Sequence, residues 1–156
     1  MTKIYITSDH HFFHGNIIRY CNRPFESYQE MNEFMINTWN EIINPEDIVI
    51  HLGDFAFRNK ANLIRPLLNG TIILIRGNHD TNVVSEDGFI IVEDKLIINN
   101  MILTHRPMLK EDIAEGFINV HGHIHDKKSY EGINMSVERT EYKPVLISEI
   151  IQHYGE

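Results

Sequence analysis

The chain has 156 residues, 42% of them hydrophobic and 23% charged, with a formal net charge of −8. That balance belongs to a globular chain long enough to bury a core without staples, and it excludes a disordered tail or a collagen-like fibre. The negative charge disfavours extended duplex nucleic acid and anionic membranes as partners, because affinity there comes from many Lys and Arg. No apolar run reaches the roughly 20 residues of a membrane span, and residues 1–7 read as a strand rather than a leader peptide. The length predicts one domain over residues 1–156. Cys21 has no second cysteine to pair with, so a cytoplasmic location is expected, with Cys21 as a small buried residue.

In chain order, residues 3–7 predict a short apolar strand. Ser27-Tyr28-Gln29-Glu30 has the form of a capping box. It opens a helix whose Met31, Phe34, Met35, Thr38, Trp39, Ile42 and Ile43 share one stripe, and Asn44-Pro45 ends it. Residues 47–52 form a nearly continuous apolar run, as in a strand covered on both faces. Residues 61–68 read as a helix closed by Asn69-Gly70, and 71–75 as another buried strand. Residues 89–92, 96–98 and 101–104 have the spacing of antiparallel hairpins. A short helix is expected after Pro107, strands at 117–120 and 134–137, and a closing helix at 148–154. Strand–helix alternation followed by hairpins predicts two packed mixed sheets flanked by helices, a four-layer α/β/β/α sandwich.

Histidine is the anomaly. There are ten, and histidine is both the commonest neutral metal ligand and the natural acid–base group near neutral pH. Five apolar runs lead into Asp9-His10-His11, Gly53-Asp54, Gly77-Asn78-His79-Asp80, His105 and Gly122-His123-Ile124-His125. In α/β folds, sites form beyond the carboxyl ends of strands. Taken singly, each piece has an ordinary reading as a turn or a helix N-cap. His123 and His125 carry more weight, because positions i and i+2 of an extended segment share a face. Five such pieces together point to a site.

These motifs, in this order, resemble those of the calcineurin-like metallophosphoesterases: D-x-H, G-D, G-N-H-[DE], H and G-H-x-H. The resemblance runs from residue 9 to residue 125. The stretch from His11-Phe12-Phe13-His14-Gly15-Asn16-Ile17 through Cys21-Asn22-Arg23-Pro24-Phe25 is similar to the small, capless members of bacteria and bacteriophages. The resemblance implies two divalent transition-metal ions. Asp9, His11, Asp54 and His125 would hold the first. Asp54, Asn78, His105 and His123 would hold the second, with Asp54 bridging and His79 left as the catalytic histidine.

Mn²⁺ is the favoured metal, with Fe, Co, Ni or Zn in reach, because imidazole-rich sites suit transition metals over Mg²⁺. Two such ions against the two carboxylates leave about +2, enough for an acidic protein to attract phosphate. The implied reaction is phosphoester hydrolysis by a metal-bound hydroxide, with His79 protonating the leaving oxygen.

A small or nucleotide phosphodiester is the expected substrate. Protein phosphatases of the superfamily continue the second motif as G-D-x-x-D-R-G. Here Gly53-Asp54-Phe55-Ala56-Phe57-Arg58 puts Phe57 in place of the second Asp and keeps Arg58, expected to touch substrate phosphate. Without that Asp, His79 needs another orienting partner, and the adjacent Asp80 is a candidate. Phosphomonoester hydrolysis and a non-enzymatic metal-binding adaptor are the alternatives. A monomer or homodimer is expected, with no membrane partner. Of the other histidines, His51 reads as a hydrogen-bonded core residue and His10 as a structural residue facing away from His11. His121 reads as support for His123, His14 as bordering the pocket, and His153 as solvated.

Overall fold

A computed structural model describes residues 1–129 and 131–155. The chain runs β1 (Ile4–Thr7), α1 (Gly15–Tyr20), α2 (Tyr28–Ile42), β2 (Ile48–His51), α3 (Ala61–Ile64), β3 (Thr71–Ile75) and β4 (Phe89–Val92). It continues through β5 (Lys95–Ile98), β6 (Met101–Thr104), β7 (Ile118–His121), β8 (Gly132–Asn134), β9 (Val145–Leu146) and α4 (Ile150–Tyr154). One sheet has the order β4-β3-β2-β1-β9, parallel except for β9, and the other the order β5-β6-β7-β8, parallel except for β5. Two mixed sheets with flanking helices make an α/β sandwich.

Side-chain alternation explains the layering. Ile6, Ile50, Leu52 and Ile75 of the first sheet pack with Met101, Leu103, Val120 and Ile133 of the second, forming the core between the sheets. Their neighbours Tyr5, Val49, Ile72 and Leu74 point the other way, onto Ile17 of α1, Met31, Met35 and Trp39 of α2, and Ile64 of α3. Half of the predicted capping box of α2 is present: Ser27 Oγ accepts from Glu30 N–H at 3.1 Å, while Glu30 Oε2 accepts the N–H of Glu26 (2.8 Å) instead of that of Ser27. Parallel registers align the strand ends that carry the motifs, with Thr7 opposite His51, His51 opposite Leu74, and Thr104 opposite His121. No helix among the described residues is long and apolar enough to cross a membrane.

Several expected elements differ. Residues 89–92 do not form a hairpin with the strand that follows: β4 lies parallel to β3, and Glu93-Asp94 carries the chain across to the second sheet, where β5 pairs with β6. Local spacing is the same for a turn within a sheet and a step between sheets. The α-helical part of 61–68 stops at Ile64 and tightens to a 3₁₀ turn at Arg65–Leu67, since Pro66 offers no N–H. After Pro107 there is only a 3₁₀ turn, Lys110–Asp112. The strand expected at 134–137 already ends at Asn134, and Val137–Arg139 is another 3₁₀ turn. The last helix begins as a 3₁₀ turn at Ile147–Glu149. Helix α1 and the two-residue β9 carry no periodicity that would have announced them.

Candidate metal centre

The loops after β1, β2, β3, β6 and β7 meet at one edge of the sandwich. They are tied by main-chain hydrogen bonds: Asp9 N–H to Gly53 O (3.0 Å), His11 N–H to Asp54 O (3.1 Å) and Gly122 N–H to His105 O (2.9 Å). Asp9, His11, Asp54, His123 and His125 all have left-handed backbone, with φ between 52° and 73°. Such φ values are uncommon outside glycine and cluster where geometry serves a site. The close approach of these loops also explains two glycines. A Cβ on Gly122 would fall on the Asp9 carboxylate and the Ser8 hydroxyl, and one on Gly77 on the Asp54 carboxylate.

The seven residues read as ligands from the sequence are brought together. Asp9, His11 and His125 form one group and Asp54, His105 and His123 another, with the ligand atoms of each group within 4.8 Å of one another. Asp54 reaches both, its Oδ2 lying 3.5 Å from His11 Nε2 and 3.3 Å from His105 Nε2. Asn78 Oδ1 is 2.9 Å from His105 Nε2. Asp9 Oδ1 and His11 Nε2 are buried 3.7 Å apart, and neither has a hydrogen-bond partner among the described residues. Bare buried polar atoms cost about 1–3 kcal/mol each, so this pair fits a cation between them.

The charges agree. Burial pushes the Asp9 carboxyl up, but interaction with His11 and the charges on His105 and His125 outweigh it and hold it well below the usual range. Burial opposes ionisation of Asp54 too, and the His105 imidazole prevails and lowers it. With no ion bound, burial pulls His125 down while Cys21 and Glu138 drive it up to about 10. A metal there takes the place of a proton.

His79 stands at the exposed mouth. Its main-chain N–H donates to Asp54 Oδ1 (2.8 Å), and its ring meets His11 edge-on at 5.3 Å between centroids. Asp80 is not the partner of its imidazole. Its buried carboxylate instead accepts the N–H groups of Asp54 (2.7 Å), Phe55 (2.9 Å) and Gly77 (2.7 Å), knotting the second and third motif loops together. His14 borders the site as expected, with its ring 5.5 Å from His11 and stacked on Phe57 at 4.6 Å. Arg58 is exposed on that rim with its guanidinium over the Phe57 ring.

His51 is the expected core residue. Its Nδ1 accepts the Gly53 N–H at 3.1 Å, and its Nε2 faces His10 Nδ1 at 2.9 Å. His121 hydrogen-bonds Ser129 Oγ (2.7 Å) and Gly122 O (2.9 Å), and so braces the loop rather than the His123 ring. His153 is exposed. Cys21 is half-buried rather than buried, with its sulfur beside His125 and Glu138.

Arg23 and Glu138, both packed behind His125, belong to none of the five ligand motifs. The sequence assigns neither a role, although Arg23 lies in the stretch similar to the capless members. His14 and Arg58 announce the rim in the sequence, whereas Phe57, which contacts both, enters there only as the replacement of an aspartate.

The chain matches the family model of calcineurin-like phosphoesterases over residues 2–155. It is similar to the uncharacterized protein MJ1445 of Methanocaldococcus jannaschii, 39% identical over 171 aligned positions that cover 97% of this chain and 91% of that protein. Among solved structures it resembles the protein of unknown function AQ665 from Aquifex aeolicus, with a TM-score of 0.78 and 27% identity, covering 97% and 99% of the two chains. It also resembles the Pseudomonas putida nuclease MPE, with a TM-score of 0.56 and 20% identity over 78% of this chain and 61% of the nuclease, a likeness of fold alone.

Proposed function

The chain belongs to the calcineurin-like phosphoesterase family, and from that premise we propose that it is a metal-dependent phosphodiesterase acting on a small or nucleotide phosphodiester in the cytoplasm. The observation that carries the reading is the reach of Asp54. One carboxylate oxygen faces both ligand groups, and the other accepts the main-chain N–H of His79. Asp9, His11, Asp54 and His125 would hold one divalent ion, and Asp54, Asn78, His105 and His123 the other, with Mn²⁺ favoured by the imidazole-rich donor set. When bound, such a pair supplies Lewis-acid charge for the phosphoryl oxygens and lowers the pKa of water.

The chain's own residues do the rest. His79, exposed and fixed through its main chain, gives a proton to the leaving oxygen. His14 and Phe57 wall one side of the site, and Arg58 reaches the substrate phosphate from the rim. A diester is favoured because Phe57 occupies the place of the protein-phosphatase aspartate. Among the described residues nothing is added to the two sheets and their helices as a cap to select a small monoester.

The test compares leaving groups. A ribose hydroxyl leaves poorly without a proton, whereas p-nitrophenolate leaves well. His79→Ala, saturated with Mn²⁺, should lose roughly 10²–10⁴ in rate on nucleotide diesters and much less on bis-p-nitrophenyl phosphate. Equal losses would remove His79 from the role of acid. Faster turnover of the matching monoester would make the protein a phosphomonoesterase. Full activity after exhaustive chelation would end the metal reading altogether.

A further inference from the structure

Behind His125 lies an ion pair that the proposed chemistry does not use. Glu138 sits in the 3₁₀ turn that follows β8, with its side chain 4% exposed. One of its oxygens, Oε2, lies 3.0 Å from His125 Nδ1, 2.9 Å from Arg23 Nε and 2.9 Å from Arg23 Nη2. The Arg23 side chain is fully buried. Its Nη2 also donates to the main-chain carbonyl of Asp9 (2.7 Å), and its Nη1 to that of His10 (2.6 Å) and to Met31 Sδ (3.5 Å). Arg23 thus clamps the loop that carries Asp9 and His11, Glu138 is clamped to Arg23, and His125 to Glu138. All three members of the first ligand group are held by one buried cation–anion pair.

Stability alone is a weak reason for such a pair, because desolvating two charges offsets most of their attraction. Its geometry suggests another use. An imidazole has two nitrogens, and the one that donates to a carboxylate leaves the other as the lone pair. With Nδ1 committed to Glu138, Nε2 is the nitrogen left for a metal, and His125 groups with Asp9 and His11. A carboxylate partner also makes the ring a stronger donor to a cation than a neutral partner does. His105 has the neutral kind of support, from its Nδ1 to Leu52 O at 2.8 Å.

We infer that Glu138, locked by Arg23, is a positioning residue for His125, fixing which ring nitrogen faces the first ligand group and strengthening it toward a metal. The inference rests on the metal-dependent reading above. It predicts an effect on one ion of two.

The experiment titrates the full-length protein with Mn²⁺ by calorimetry, with melting of the metal-free protein as the check on folding. Glu138→Gln keeps the size of the side chain and removes its charge. It should weaken one of the two Mn²⁺ sites by about 10–100-fold and leave the other unchanged. Raising Mn²⁺ should then restore kcat, which a misfolded site would not allow. Glu138→Asp keeps the charge for Arg23 but draws it back from His125. It should fold even if Glu138→Gln does not, and should weaken the same site to a lesser degree. Wild-type affinity at both sites in a folded variant, or equal weakening of both, would overturn the positioning role while leaving the metal reading intact. A wild-type protein that bound no Mn²⁺ would overturn both.

Discussion

The Asp9–His11–His125 group is backed by a buried ion pair, whereas the Asp54–His105–His123 group is backed by hydrogen bonds to and from the main chain. Behind the first stand the buried Arg23 and Glu138, and Asp9 Oδ2 also takes the Ser8 hydroxyl and the His123 N–H at 2.8 Å. Behind the second, His105 leans on a carbonyl, and the Asp54 loop hangs from the Asp80 carboxylate and the neutral His51 ring. The two groups are buried alike, each with two buried residues and one half-buried histidine, but the second opens beside the exposed Asn78 and His79. The difference teaches how one edge of a fold can combine a rigid site with an accessible one. The first group is held by groups that cannot move without unpairing a buried ion. The second, here the outer group, has the exposed Asn78 and His79 beside it, where a substrate and its leaving oxygen have room.

Asp54 joins the two, so changing it should have the largest effect. Asp54→Asn removes the shared negative charge and should lower metal content at both groups. The activity loss should exceed the roughly 10–100-fold expected of a supporting residue. His125→Ala should empty only the first group and His123→Ala only the second. Elemental analysis of the three variants measures this. Two full equivalents of metal in Asp54→Asn would dissolve the link on which the comparison stands.

Next in size is Asp80. Three N–H groups converge on its two oxygens, and Asn has one oxygen and an NH₂ that would face donors. Asp80→Asn should therefore cost about 1–3 kcal/mol of stability, the usual cost of leaving buried donors unsatisfied. Because the knot holds Asp54 and Gly77, the second group should lose its metal before the first. Urea unfolding and metal titration together read the two effects. A variant that unfolded like wild type and held both ions would show that the main-chain support of the outer group is not needed.

What could be read from sequence follows from what the chemistry confines to short stretches. Motifs at strand ends are short stretches of neighbours in the chain, so those holding Asp9, His11, Asp54, Asn78, His105, His123 and His125 stand out in the sequence, and the family resemblance supplies their reading as ligands. The strands that carry them were legible because they are buried on both faces and read as apolar runs. The pairing of Arg23 with Glu138 stayed hidden because the two lie 115 positions apart and meet only in the fold. As single residues they look like any surface charge. Asp80 was read as a possible partner of the His79 ring because adjacency in sequence says nothing of direction, and its carboxylate turns inward instead. The crossing from β4 to β5 was missed for a similar reason: two residues make a hairpin or a bridge between sheets, and only the packing of both faces decides.

The smallest expected effect concerns pH, and it tests whether the His51 support of the Gly53 turn is neutral. His51 Nδ1 accepts the Gly53 N–H, so its ring proton sits on Nε2 and is donated to His10. Burial, chiefly, keeps both rings neutral. It takes His51 from 6.5 down to about 3 against the pull of Asp9 and Asp54, and with His51 and Arg23 nearby it takes His10 well below 6.5. Above pH 6.5 neither the folded nor the unfolded chain binds these protons, so the full stability is present. As the pH falls below 6.5 the unfolded chain takes them up and the folded chain refuses them, and stability drops until the folded value, near 3 for His51, is reached. Each ring contributes a slope of at most about 1.4 kcal/mol per pH unit. His51→Gln keeps a hydrogen-bonding side chain at the same place and removes one titrating group. In metal-free protein unfolded by urea between about pH 6 and pH 4.5, its stability should fall less steeply than wild type by up to that amount. An identical slope would mean that His51 takes up its proton in the folded state, so that a neutral ring does not support the Gly53 turn.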